Sequence, residues 1–201
     1  MTKGILGDRE KALEDNYFRQ EEAKLVEKLR QNARLDEIAA ALRDKLQVDD
    51  PELLMRTRQL GVTVETAPAF FLAPLVQVAW AGGSVTSSER ETVLGLARGR
   101  EIDPASPAYA QLVSWLESKP SDELFDTALE VLRSGFSVLP PDERRARVTT
   151  LVDACHKVAE AAGSHVATLL GMRQDVTRAE ESVVETINNK LRIGTGESAS
   201  D

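Results

Sequence analysis

Cys155 and His156 are the one place in the chain where a thiol and an imidazole are neighbours, and the chemistry they would offer is that of a nucleophile with its base. Consecutive residues on a helix diverge by roughly a third of a turn, which is poor geometry for that exchange. Cys155 also falls on an apolar stripe with Val148, Leu151, Val152 and Val158, so it reads as inert core. His165 follows Gly163 and belongs to a connector. The carboxylate pairs Glu21-Glu22 and Glu180-Glu181 would suit acid–base work, but such pairs usually face solvent. The chain holds no glycine-rich phosphate loop, no Gly-x-Ser-x-Gly, no His-Glu-x-x-His and no paired-cysteine zinc spacing. The expectation is a protein that works by binding, with no catalytic residue, no metal site and no cofactor.

The elements that must position a binding site are helices. Aromatics make up only 4% of the 201 residues, so the core has to be built from Leu, Val and Ala, a choice that favours helix. Residues 8–32 read as a long charged helix with a sparse stripe of Leu13, Tyr17, Phe18, Leu25 and Leu29, its acids and bases alternating as an exposed helix requires. Leu35, Ile38, Ala39, Leu42 and Leu46 then share one helical face. Asp50-Pro51 opens a helix that Gly61 closes, and another is predicted through Phe70, Phe71, Leu75, Val78 and Ala79 to Gly82-Gly83. Thr86-x-x-Glu89 is a capping box, Pro107 and Ser121 start the next two helices, and Pro140-Pro141 precedes one that runs to Gly163. Thr177-x-x-Glu180 reads as a second capping box, opening a helix with Val183, Val184, Ile187 and Leu191. Val62-Thr63-Val64 is too short for a strand. The organisation expected is a charged extension over 1–32, an amphipathic connector over 33–65, a helical domain over 66–193 and a disordered tail over 194–201.

A net charge of −8 argues against nucleic acid as the main partner, and Arg144, Arg145 and Arg147 are spread around a helix as on a solvated face. A single cysteine permits no internal disulfide, and the first residues lack the apolar stretch of a secretory signal, so a soluble cytoplasmic protein is expected. Thr66–Ser88 is free of charge, but Pro68, Pro74 and Gly82-Gly83 leave an apolar segment too short to span about 30 Å of hydrocarbon. It reads as a buried core helix, and any membrane association would be peripheral, through a partner.

Two stretches echo each other. Val78-Ala79-x-Ala81-x-Gly83 is matched by Val158-Ala159-x-Ala161-x-Gly163, and each leads to Val-Thr-x-x-Glu with a valine four residues further on: Val85, Thr86, Glu89, Val93, and Val176, Thr177, Glu180, Val184. Capping chemistry alone can generate part of this pattern. The runs LVQVAWAGGSVTSSERETVL and HKVAEAAG…LLGMRQDVTRAEESVV resemble the two helix–loop–helix units of tellurite-resistance TerB-like domains, over about residues 66–193. The resemblance implies an all-α, compact multi-helix bundle of two similar halves. It also implies an association with stress response, membrane-proximal assemblies and, in some members, divalent metal held by acidic loop residues. This chain departs from the family at that loop: Ala81-Gly82-Gly83 stands where Ala-Asp-Gly is usual, and Val85-Thr86 puts a hydroxyl at a second frequent acidic position. A hard cation needs several oxygen ligands, so no metal is expected there. Asp175 and Glu180 of the second copy read as capping.

The most specific motif is Gly4-x-x-Gly7-x-Arg9-Glu10-x-Ala12-x-Glu14-x-x-Tyr17-Phe18-Arg19. It resembles the inhibitory segment of mitochondrial-type ATPase inhibitor proteins, over residues 4–19 alone. The resemblance implies a segment that becomes helical on inserting into the catalytic head of the rotary F-type ATPase, with Glu14, Tyr17 and Phe18 among its contacts. The long His-bearing coiled coil of that family is absent here, so its pH-switched dimerisation has no basis. Independently of the likeness, two adjacent aromatics in an ionic helix either dock on the chain's own body or anchor a partner protein. The partner-binding residues expected are Arg9, Glu10, Glu14, Tyr17, Phe18 and Arg19.

Overall fold

The computed structural model describes Glu22, residues 24–27, residues 40–162 and residues 173–192. The chain divides into two compact units, Met1–Ala41 and Leu42–Asp201. In the first, the described residues are helical, and Leu25 and Val26 are 58% and 44% exposed. Leu13, Tyr17, Phe18, Leu29, Leu35, Ile38 and Ala39 of the predicted stripes lie outside the described residues, as does the tail from Gly194.

The second unit is an all-α bundle with no strand among the described residues. Residues 42–46 end a first helix, α1; then follow α2 (Pro51–Gln59), α3 (Ala67–Phe70), α4 (Ala73–Ala79), α5 (Ser87–Arg98), α6 (Pro107–Glu117), α7 (Asp122–Ser137), α8 (Pro141–Ala162) and α9 (Arg173–Arg192). Leu42, Leu46, Val48, Leu53 and Leu54 are buried in the same core as α4, so residues 42–54 pack as part of the bundle.

Local chemistry sets the starts. The Asp50 carboxylate accepts from the N–H groups of Glu52 and Leu53 at 2.9 and 3.3 Å, with Pro51 in the first turn where no N–H is needed. Ser106 and Ser121 each accept the amide three residues on, from Tyr109 and Leu124, both at 3.2 Å. Gly61 turns the chain after α2 in the left-handed region, φ +80°. Such caps stabilise a helix by about 1 kcal/mol each.

The single helix predicted through Phe70 to Ala79 is instead two. Pro74 has no N–H to give to the Phe70 carbonyl, and a residue before proline avoids the helical region. The chain therefore breaks at Phe71-Leu72 and restarts with Pro74 in the first turn of α4. Every residue of α4 except Gln77 is buried, and the helix touches α5, α6, α7, α8 and α9. A helix apolar on all sides belongs at the centre of a bundle, which accounts for the charge-free run. Among the described residues no helix is long and apolar enough to cross a membrane. Trp80, half-buried at the end of α4, donates its indole N–H to the Trp115 carbonyl at 2.8 Å and ties α4 to α6.

Candidate functional site

Two capping-box glutamates end up in the interior. At the start of α5 the motif behaves as its sequence predicts: the Thr86 hydroxyl oxygen accepts from the Glu89 N–H at 3.3 Å, and Glu89 Oε2 accepts from the Thr86 N–H and hydroxyl, both at 2.7 Å. Glu89 is 1% exposed. It shares a face with Val93 and Ala97, which are buried, so the cap is folded under the bundle rather than facing water.

The second motif departs from expectation. Helix α9 begins at Arg173, four residues before Thr177, so Thr177 lies inside the helix rather than at its N-cap position. Without a helix start beside it, Glu180 has no free amides to accept from. Its side chain is fully buried and neither carboxyl oxygen has a hydrogen-bond donor. Glu180 faces Glu89 instead. Burial first, then the nearby Glu89 charge, with a smaller push from Glu181, raise the Glu180 carboxyl to about 8. At neutral pH Glu180 therefore keeps its proton in the interior beside Glu89. Glu180 is thus neither a solvated residue nor a cap, in contrast to what its sequence pattern predicts. The available signal was periodicity: Glu180 lies four, seven and eleven residues before Val184, Ile187 and Leu191, which are all buried. General acid–base catalysis needs contact with a substrate proton, and groups 1% and 0% exposed offer none. Their chemistry is to hold a proton inside the fold. Among the described residues no three His, Cys, Asp or Glu side chains cluster as a metal site would require.

Cys155 is buried and its neighbour His156 exposed, as the helical step demands. Burial pushes the Cys155 thiol up to about 12, with the Arg100 charge opposing, so it stays an unreactive thiol. The basic run on α8 divides by role. Arg144 donates from Nε to the Phe136 carbonyl at 3.1 Å and from one terminal nitrogen to the carbonyls of Ser137 and Leu139 at 2.9 and 3.2 Å, closing the C-terminus of α7. Arg145 pairs with Asp142 on the surface.

Arg147 lines a groove of about 430 Å³, walled by α1, α3, α7, α8 and the connection after α5. Its walls include Phe71, Leu72, Ile102, Leu132, Phe136 and Leu151, and its charged residues are Lys45, Arg100 and Arg147. No pattern of spacing announced this groove, because its lining comes from five separate parts of the sequence.

The residues expected to grip a partner, Arg9, Glu10, Glu14, Tyr17, Phe18 and Arg19, lie outside the described residues. No protein-family model, no curated protein and no solved structure matches the chain.

Proposed function

We propose that the chain is a non-enzymatic adaptor or regulatory protein: a TerB-like helical bundle whose charged N-terminal leader docks on another protein. The observation that carries this reading is the exposure of Leu25 and Val26, 58% and 44%, in a leader that forms a compact unit of its own. Half-exposed apolar side chains on a charged helix gain about 1 kcal/mol each when a partner covers them. The experiment is a pull-down from extract at physiological salt with the full chain and with its Tyr17→Ala/Phe18→Ala variant. A protein retained by the first and lost by the second is expected; equal recovery by both overturns the reading.

The spacing of Arg9, Glu10, Glu14, Tyr17 and Phe18 favours a sharper version, in which the partner is the catalytic head of a rotary ATPase. ATP hydrolysis by the isolated head should slow when the protein is added at micromolar concentration. The aromatic double variant should leave the rate unchanged. A rate unaffected by the intact chain removes this version and leaves the general one standing. A third version, a stress effector dependent on a divalent metal, rests on the TerB-like resemblance and is retired by calorimetry with calcium that gives no heat.

A further inference from the structure

We propose that the groove of the bundle binds a free long-chain carboxylate, its apolar tail against Phe71, Leu72 and Ile102 and its head among Lys45, Arg100 and Arg147. A volume of about 430 Å³ falls within the range of about 300–1,000 Å³ typical of small-molecule sites. The walls are apolar, and each charged side chain lining the groove is a cation. In a chain of net charge −8 this is a local reversal of sign. None of the three groove cations has an ion pair among the described residues, so no carboxylate of the described chain competes for them.

Lys45, Arg100 and Arg147 are exposed side chains that line the groove, so a head group at its mouth meets three cations without any charge being buried. A guanidinium such as Arg100 or Arg147 can hold a carboxylate through two parallel N–H donors. The size of the groove selects between occupants. A stable protein complex covers about 800 Å² of each partner, whereas one concave groove of this volume suits a single chain.

Calorimetry on the full-length protein with laurate below its micelle concentration tests the proposal. Comparison ligands are dodecyltrimethylammonium and dodecyl maltoside, which share the tail, acetate, which keeps only the head, and phosphatidylglycerol vesicles. Laurate is expected to bind with one molecule per chain and at least about tenfold more tightly than either comparison dodecyl compound. Acetate and vesicles are expected to give no saturable heat. The Arg100→Glu/Arg147→Glu variant should lose at least about tenfold in laurate affinity, and Thr150→Trp, which fills the rim from an exposed position, should abolish binding. Circular dichroism melts matching the wild type would show that both variants fold, and Thr150→Trp serves if charge reversal unfolds the chain. Equal affinity for the three head groups, or laurate binding unchanged in a folded variant, overturns the proposal. So does preferential binding of the vesicles, which would make the ligand a membrane. Tighter laurate binding by Tyr17→Ala/Phe18→Ala would show that the leader occupies the groove and would overturn it equally.

Discussion

Glu89 at the start of α5 and Glu180 within α9 are both shut off from water, yet their carboxyl groups live in different surroundings. Glu89 has a helix N-terminus beside it: an amide and a hydroxyl of Thr86 donate to its Oε2, and the unpaired first turn of the helix favours negative charge there. Glu180 sits five residues further into its helix, where the amides are already committed, and faces another carboxyl group. The difference teaches that a Thr-x-x-Glu pattern fixes a carboxyl group's charge only where the helix actually begins. Moved further inward, the same residues yield a neutral acid.

Breaking this arrangement at its acceptor gives the largest effect. Glu89→Ala removes a capping box, at about 1 kcal/mol, and leaves a void beside buried Glu180, at about 2 kcal/mol. Urea unfolding at pH 7 should show a loss of about 3 kcal/mol, and a loss under 1 kcal/mol would contradict the contact between the two residues. The next effect is in the pH profile. The folded Glu180 carboxyl, raised to about 8, holds a proton that the unfolded chain releases near 4.3. The stability it contributes is complete below pH about 4.3 and is lost as pH rises through about 8, at no more than about 1.4 kcal/mol per pH unit. Glu180→Gln replaces the titrating acid with a neutral amide of the same shape. It should flatten that part of the profile and exceed the wild type by about 1–3 kcal/mol at pH 9. Parallel profiles for the two proteins would sink the account of Glu180 as a buried neutral acid.

Smaller substitutions sharpen the comparison. Thr86→Ala should cost about 1 kcal/mol, as loss of a cap does, whereas Thr177→Ala, inside α9, should change stability by less than about 0.5 kcal/mol. Similar losses at both positions would mean that Thr177 caps after all. On α7, which packs against α9, Thr127 is a buried group whose hydroxyl also lacks a partner. Thr127→Val keeps its shape and should gain at most about 1 kcal/mol in the same unfolding assay.

Much of the bundle is legible in the sequence because its signals are local. Asp50-Pro51, Thr86-x-x-Glu89 and Ser121 each carry the whole chemistry of a helix start within four residues, and the charge-free run around α4 can only be interior. The break at Phe71-Leu72 was equally local, since Pro74 announces it, but the apolar periodicity across Phe70, Leu75 and Val78 masks the proline. The Glu89–Glu180 contact is different in kind. It depends on where α9 starts and on which face of it the bundle covers, a packing outcome that joins residues far apart in the chain. The groove is hidden for the same reason, since Lys45, Arg100 and Arg147 meet at one surface only once the helices are in place.

The hydrogen bond from Trp80 to Trp115 has a practical consequence. These are the only two tryptophans in the chain, and both sit at the junction of α4 and α6. Indole emission is therefore an optical gauge of that one corner of the bundle, whereas far-ultraviolet dichroism sums over every helix. Heating the intact chain under both detectors turns the two-unit architecture into a pair of curves. If the leader melts independently, the ellipticity will decline before the emission maximum moves to the red.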